Sequence, residues 1–172
     1  MSEEKKVAPQ KTVTQPVPPQ KIEAETAMVE ELQKALGEDL IESKIPRARR
    51  IFVKVKPGAH KKAVQYMKDN WGLYHLSTIT GVDLGDNLEV IFHFFAKNVA
   101  VNLRAEVPRN KPKIDTITDL IPGSNVYERE VHDLFGIEFK GHPNLEKLEL
   151  PDDWPKGVYP LRKDWKPEEP AD

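Results

Sequence analysis

The chain has 172 residues, of which 31% are charged and 38% hydrophobic, and its formal net charge is -2. This length suits one domain with a single core, and the small net charge argues against a nucleic-acid-binding protein, which would carry a basic excess on one face. Cysteine is absent, which excludes a disulfide, a thiolate nucleophile and cysteine ligands for zinc or an iron-sulfur cluster within this chain.

The beginning of the chain is expected to be a disordered tail. Residues 1–21 are rich in Pro, Gln, Lys and Thr and have almost no large apolar side chains, so they bury too little surface to offset the entropy of ordering. The opening MSEEKKVAPQ lacks the apolar stretch of a signal peptide, and no run approaches the roughly 20 apolar residues of a membrane-spanning helix. An arm that becomes ordered on a partner is the alternative for this segment.

Two helices and a strand are predicted next. Apolar residues recur at helical spacing from Ile22 to Leu36, ahead of Gly37, and indicate the first helix. The segment RARRIFVKVKP alternates apolar and polar residues, which predicts a strand with one buried face. The segment PGAHKKAVQYMKDNWG predicts an amphipathic helix that ends at Gly72.

Three further strands, LYHLSTITGV, NLEVIFHFFA and VAVNLRAEVP, are predicted to form an antiparallel meander with turns at residues 85–86 and 97–98. A strand, a helix and a returning strand form a crossover, so we expect the first strand to lie parallel to a meander strand. The predicted fold class is therefore α+β, with a small mixed sheet and helices on one face, and the domain covers residues 22–143.

The end of the chain is expected to be an extended, proline-rich tail over residues 144–172. Five prolines fall in the last 22 residues, and proline disfavours helix and central strand. Four apolar side chains lie among these prolines and charges: Trp154, Tyr159, Leu161 and Trp165. We expect them to bury against another chain, where aromatic residues often dominate interface energies. Packing back onto this domain is the alternative.

A charged helix is predicted between the domain core and the tail, within NVYEREVHDLFG. It is expected over residues 126–135, capped by Asn125 together with Glu128 and ended by Gly136. Helical geometry predicts that Arg129 and Asp133 point away from the core, where they can pair with each other or contact a partner. The prediction is a charged docking helix.

A catalytic or metal site is the competing interpretation of this helix. An acid-base pair must face a common substrate, whereas Glu128 and Glu130 are two residues apart on one helix and point in nearly opposite directions. A metal site would combine Glu128, His132 and His142, of which only the first two have a spacing that suits a metal. A small, stand-alone metal-dependent enzyme using Glu128 and His132 therefore stays as a remote alternative.

Two motifs carry a resemblance to a known family. The segments YEREVHDLFGIEFKGHP and YPLRKDW resemble the signature of the 30-kilodalton subunit family of respiratory complex I, also called the C-subunit family. The resemblance covers roughly residues 22–165. The matching positions are Glu128, Arg129, Glu130, Asp133, Leu134, Phe135, Gly141, His142, Pro143 and Pro160 through Asp164.

Departures from the family pattern indicate a branch. This chain has Glu146 and Lys147 where complex I members usually carry basic residues, and LPDDWPKGVYP in place of their linker. These features look more like the related subunits of archaeal membrane-bound [NiFe] hydrogenases and their sulfur-reducing or dehydrogenase relatives. The 30-kilodalton subunit of NADH-quinone oxidoreductase, which is complex I itself, is the alternative.

The resemblance implies a non-catalytic structural or assembly subunit in the peripheral arm of a membrane-bound, ion-translocating respiratory oxidoreductase. It implies docking on the catalytic large subunit and on the iron-sulfur small subunit, which would hold the iron-sulfur clusters and, in a hydrogenase, the [NiFe] centre. This chain would hold no cofactor, bind no nucleic acid and meet the membrane only through the complex, on the cytoplasmic side. The expected partner interface comprises Glu128, Arg129, Glu130, Asp133, His142, Trp154, Tyr159, Leu161, Arg162, Lys163, Asp164 and Trp165.

Overall fold

The computed structural model describes residues 21–167 of the chain. The predicted disordered tail therefore lies outside the described residues, except for Lys21. The helices are α1 (Glu23–Leu36), α2 (His60–Trp71) and α3 (Ser124–Phe135). The strands are β1 (Leu40–Arg47), β2 (Arg50–Val55), β3 (Leu76–Asp83), β4 (Asn87–Ala96), β5 (Val99–Pro108), β6 (Lys113–Asp115) and β7 (Glu138–Lys140).

Five strands form a mixed sheet in the order β1-β2-β5-β4-β3. Strand β2 runs parallel to β5, whereas β1 pairs with β2, and β4 with both β3 and β5, in antiparallel register. The predicted meander and the predicted parallel pairing are both confirmed, as is the α+β class. Lys97 and Asn98 have φ values of 48° and 63°, which a two-residue hairpin between β4 and β5 requires.

Strand β1 was not predicted from the sequence. It is an edge strand with only one buried residue, Leu40, so the period-2 signal that reveals half-buried strands is weak there. The short strands β6 and β7 form a separate parallel pair and were also not predicted.

The core lies between the sheet and helices α1 and α2. Helix α1 buries Met28, Leu32 and Leu36, and α2 buries Val64 and Met67. The buried ring of His60, at the start of α2, stacks on Phe92 of β4 with a centroid distance of 5.5 Å. These contacts place both helices on one face of the sheet.

The opposite face of the sheet carries a network of charged and polar side chains. Arg104 binds Glu89 through two hydrogen bonds of 2.9 and 3.1 Å, and the Lys54 ammonium lies 2.5 Å from Glu106. Glu89 is almost fully buried, so its charge is compensated by a bidentate arginine contact. Both pairs join neighbouring strands, so the charges of these four side chains compensate one another within the sheet.

Helix α3 lies at the β3 edge of the sheet. The Phe135 ring packs directly on Gly81 of β3, where a Cβ atom would overlap the ring. Gly81 therefore allows α3 to approach the edge strand closely. This approach creates the surface on which the family motif lies.

Candidate docking surface

Helix α3 begins two residues earlier than the sequence predicts, at Ser124, and its N-cap residue Gly123 makes no side-chain capping bond. The predicted cap formed by Asn125 and Glu128 is therefore wrong. The helix ends as predicted at Gly136, which has a φ of 68° and donates its amide to the His132 carbonyl at 2.8 Å. A left-handed glycine is the usual residue at this position.

The Glu128 carboxylate is fully buried and is used inside the chain. It accepts hydrogen bonds from the Thr116 hydroxyl at 2.5 Å, the Ile117 amide at 2.9 Å and the Ser124 hydroxyl at 3.1 Å. Burial raises the pKa of Glu128, and these hydrogen bonds oppose that rise. Glu128 thus ties α3 to the segment after β6 and is not available to a partner surface, which corrects its place in the expected interface.

Arg129 and Asp133 do not pair with each other, which was one of the two roles that the sequence left open for them. The Arg129 guanidinium donates to the carbonyls of Glu146 and Lys147 at 2.9 and 2.7 Å. The nearly buried Asp133 carboxylate accepts the amides of Leu148, Glu149 and Leu150 at 2.6, 2.9 and 3.4 Å. Since helical spacing cannot show where a following loop returns, the prediction missed that both side chains hold residues 146–150 against α3.

Lys147, one of the residues that depart from the family pattern, has a structural role. Its ammonium donates to the carbonyls of Pro151, Asp152 and Trp154 at 3.1, 3.2 and 3.2 Å. These carbonyls belong to a turn rich in proline, where few backbone donors are present. Lys147 therefore shapes the linker that leads to the second motif.

The second motif, residues 160–164, folds back on the end of α3. The Leu161 amide donates to the Leu134 carbonyl at 3.2 Å, and Arg162 Nε donates to the Phe135 carbonyl at 2.7 Å. The guanidinium also lies 4.3 Å from the centroid of the Tyr159 ring. Because the last carbonyls of a helix lack helical partners and carry partial negative charge, a bound arginine stabilises this end.

A cluster of four residues fixes the end of the motif to the sheet. Arg109 lies 2.5 Å from Asp83 and 2.7 Å from Asp164, and the Lys163 amide donates to Asp83 at 2.8 Å. Burial raises the pKa of Asp83, but the bonds from Arg109 and from the amides of Lys163 and Gly85 outweigh it and lower the pKa to about 2. Asp83 and Arg109 were not predicted as site residues, because no local pattern reveals a contact between residues 80 positions apart.

The tail residues therefore divide into two groups. Tyr159 packs against Gly136, and Trp154 packs against Trp165 with a centroid distance of 6.2 Å. Tyr159 therefore packs back onto the domain, which was the alternative for the tail, whereas the Trp154–Trp165 contact joins two residues of the tail itself. Leu161, in contrast, is 52% exposed.

A groove of about 170 Å³ lies between β3 and α3. Thr78, Thr80 and Gly81 line it on the sheet side, and Glu130, Leu134 and Leu161 line it on the other. The half-buried Glu130 carboxylate has no hydrogen bond or ion pair with residues 21–167, unlike Glu128, Arg129 and Asp133. Glu130 and Leu161 are thus the expected interface residues that the structure leaves unengaged on one surface.

The three residues of the metal hypothesis are engaged separately. Glu128 binds residues 116, 117 and 124, His132 Nδ1 lies 2.9 Å from the Ile137 carbonyl, and His142 Nε2 lies 3.2 Å from the Asn125 carbonyl. Burial lowers the pKa of His142. Within the described residues no group of three or more His, Asp or Glu side chains is arranged to hold a metal ion, so the site proposed for a metal-dependent enzyme is not assembled.

Comparison with known proteins identifies the family. Residues 53–171 match the model of the respiratory-chain NADH dehydrogenase 30 Kd subunit. The chain belongs to this family. Its members are subunits of complex I-related respiratory complexes, and the resemblance carried by the two motifs is confirmed.

Curated relatives come from several complexes. The chain is 36% identical over 142 residues to the C subunit of the F(420)H(2) dehydrogenase of Methanosarcina mazei, covering 80% of this chain and 89% of the relative. It is 39% identical over 140 residues to the C subunit of the NADH-quinone oxidoreductase of Roseiflexus castenholzii, covering 77% and 79%. It is 33% identical over 127 residues to the beta subunit of the membrane-bound hydrogenase of Pyrococcus furiosus, covering 70% and 73%.

A solved structure shares the fold. The chain matches a chain of the membrane-bound sulfane sulfur reductase, an archaeal respiratory membrane complex, with a TM-score of 0.74 at 27% identity, covering 84% of this chain and 86% of the other. None of the helices described in residues 21–167 has the length and apolar character needed to cross a membrane.

Proposed function

We propose that this chain is a non-catalytic docking subunit in the peripheral arm of a membrane-bound, ion-translocating respiratory oxidoreductase. It binds the catalytic large subunit and the iron-sulfur small subunit. The proposal rests on the surface where β3, α3 and the tail meet. On this surface the Glu130 carboxylate, which has no bond within residues 21–167, lies beside the exposed side chain of Leu161. Both residues belong to the two motifs that mark the family.

The internal bonds of the other motif residues support a structural role. Bonds from Glu128, Arg129 and Asp133 hold loops and the start of the tail against α3. These bonds form a rigid frame for the exposed residues. Because the chain has no cysteine, cysteine-ligated clusters of such a complex belong to the partner subunits. The same holds for the [NiFe] centre if the complex is a hydrogenase.

The archaeal branch of hydrogenases and related dehydrogenases or sulfur reductases is the first candidate for the complex. The Methanosarcina, Pyrococcus and sulfane sulfur reductase relatives support it. NADH-quinone oxidoreductase is the second candidate, supported by the 39% identity to the Roseiflexus protein. In either complex the chain lies on the cytoplasmic side of the cell membrane, attached through its partner subunits.

Purification of the complex from the native host tests this function. The chain carries an affinity tag, the membranes are solubilised in a mild detergent, and the co-purifying subunits are identified and counted. We expect equimolar large and small subunits, iron-sulfur signals in electron paramagnetic resonance, and either oxidation of hydrogen, reduced F420 or NADH or reduction of sulfane sulfur. A tagged chain that purifies alone, with a stoichiometric metal of its own, would overturn the proposal.

A pair of matched variants locates the docking surface. Leu161 and Ile41 are 52% and 55% exposed, but only Leu161 lies on the proposed surface. We expect Leu161→Asp to reduce recovery of the large subunit at least tenfold and Ile41→Asp to leave it unchanged. Equal recovery with both variants contradicts the assignment of this surface.

A further inference from the structure

We propose that the outer edge of β3 accepts an extended segment of a partner subunit as a sixth strand of the sheet. This inference rests on the proposed function only in taking the strand donor to be a subunit of the same complex. Strand β3 ends the sheet order β1-β2-β5-β4-β3, so within residues 21–167 no strand lies along the outer side of its backbone. An extended peptide is the ligand that matches such an edge, because its backbone carries the complementary donors and acceptors.

The pairing register shows which backbone groups face outward. The Leu84 amide donates to the Asn87 carbonyl at 2.9 Å, and Val82 pairs with Glu89 and Thr80 with Ile91 in the same ladder. Because hydrogen-bonded and non-hydrogen-bonded pairs alternate in antiparallel sheets, residues 80 and 82 bond to β4, while Ile79 and Gly81 turn their amides and carbonyls to the outer edge.

These outward groups are nearly without partners in residues 21–167. Neither amide has an acceptor in that part of the chain, and the Ile79 carbonyl receives only a 3.4 Å contact from the Thr78 hydroxyl. Unpaired backbone groups are a template for another strand. The outer edge of β3 therefore offers both the backbone donors and the backbone acceptors that an added strand needs.

The two edges of the sheet differ in their protection. Strand β1 contains Lys44 and Pro46 and has two register irregularities, which are devices that prevent pairing with other chains. Strand β3, LSTITGVD, contains no lysine, arginine or proline and has one irregularity near its start, between Leu76 and Thr78. Its only charged residue, Asp83, is occupied by Arg109 and Lys163. The sequence of β3 thus lacks the edge-protecting features of β1, and α3 lies beside the strand with Phe135 packed on Gly81.

The groove beside this edge defines the side chains of the incoming strand. Alternate side chains of an added strand point toward α3, where they meet Leu134 and Leu161. Glu130 lines the same groove and offers a carboxylate to a basic side chain. The fitting partner is therefore a short extended segment with apolar residues at alternate positions and a lysine or arginine next to one of them.

The ends of the edge limit the length of this segment. At one end, the irregularity at residues 76–78 interrupts the ladder. At the other end, the tail crosses at Asp83 through the Lys163 amide. The added strand therefore pairs along residues 78–82, and the exposed Tyr74 and Leu84 flank the contact on either side.

Residue-resolved hydrogen exchange tests strand addition directly. Exchange is compared between the full chain alone and the purified complex. We expect the Ile79 and Gly81 amides to exchange rapidly in the isolated chain and to slow at least tenfold in the complex. The Thr80 and Val82 amides are the internal control, because they are bonded to β4 and stay protected in both samples.

Each of the other possible outcomes overturns strand addition by a partner subunit, and the outcomes differ in what they mean for the proposed function. Unchanged exchange at Ile79 and Gly81 in a complex that contains the large and small subunits overturns strand addition and leaves the proposed function intact. Protection of both amides in an isolated chain that sediments as a dimer assigns the edge to a second copy and overturns the partner strand. A wild-type chain that recovers no subunits overturns both proposals.

A lysine variant on the edge strand, compared with one on the neighbouring strand, distinguishes docking at the β3 edge from docking on the open face of the sheet. Thr80 and Ile91 lie opposite each other on β3 and β4, on the face of the sheet opposite to the one that α1 and α2 cover. A lysine in an edge strand blocks pairing, whereas one strand further in it does not. We expect Thr80→Lys to lower recovery of the partner subunits at least tenfold and Ile91→Lys to lower it less than twofold, with both variants folded by thermal melting. Equal losses overturn the edge assignment.

Discussion

The two sides of helix α3 use their charged residues in opposite ways. Toward residues 116–117 and 146–150, Glu128, Arg129 and Asp133 are fully engaged in bonds within the chain. Toward β3, Glu130 lines a groove without an ion pair in the described part of the protein. The charged motif on α3 therefore contains residues that hold the surface together and a residue, Glu130, that is presented on it. Variants can separate these two roles.

The largest difference is expected between Glu128→Ala and Glu130→Ala. Loss of Glu128 leaves two hydroxyls and one amide without their buried acceptor, so the free energy of unfolding should fall by about 3 kcal/mol. Loss of the half-buried Glu130 should change it by less than about 0.5 kcal/mol. Urea unfolding of both variants measures this, and equal destabilisation would remove the distinction between the two sides.

Removal of residues 151–172 is the next largest change. The sequence alone predicts a domain that stays folded and loses only assembly. The bonds of Arg162 to Phe135 and of Asp164 to Arg109 lead us to expect a folded domain that also loses about 2 kcal/mol, a melting temperature lower by roughly 4 to 8 °C. Thermal melting compared with full-length protein decides this, and an unchanged melting temperature would show that the tail contributes nothing to the fold.

Acid should weaken the contact between tail and sheet through Asp83. Its folded pKa of about 2 lies below the ordinary 3.8, so its stabilisation is present above about pH 4 and is lost as the pH falls toward 2. The contribution is up to about 2 kcal/mol. Asp83→Asn should therefore destabilise the protein at pH 7 and make a much smaller difference near pH 2, as measured by urea unfolding at both pH values.

On the other side of α3, Glu128 is expected to change the stability of the protein with pH in the opposite direction. Burial raises its pKa, so protonation on acidification favours the folded state. In Glu128→Gln this gain is absent, and the variant should therefore lose more stability than the wild type between pH 7 and pH 4. A steeper acid loss in the wild type than in Glu128→Gln would contradict the assignment of Glu128 as a buried, desolvated carboxylate.

Local patterns predicted most of the fold but little of the surface. The strands β4 and β5 carry an apolar residue at every second one of their ten positions and were predicted at their observed bounds. Strand β1 was missed because it lies exposed at an edge. The bonds of Asp133 to residues 148–150 and of Asp83 to Lys163 join segments whose return path the sequence does not show. Helical spacing alone therefore assigned buried carboxylates to a docking face.

Glu130→Gln is expected to have the smallest effect on stability but a measurable effect on assembly. Glu130→Gln keeps the shape of the side chain and removes its charge, and Glu38→Gln makes the same change at an exposed position between α1 and β1. A carboxylate that meets a basic residue of a partner should contribute about 1 kcal/mol, or roughly a fivefold change in affinity, and the contribution should shrink at high salt. We therefore expect weaker capture of the large subunit by Glu130→Gln at low salt, a smaller deficit at high salt and wild-type capture by Glu38→Gln at both. Capture by Glu130→Gln that equals wild type at low salt would show that Glu130 faces solvent in the complex and that apolar contacts at Leu161 carry the docking alone.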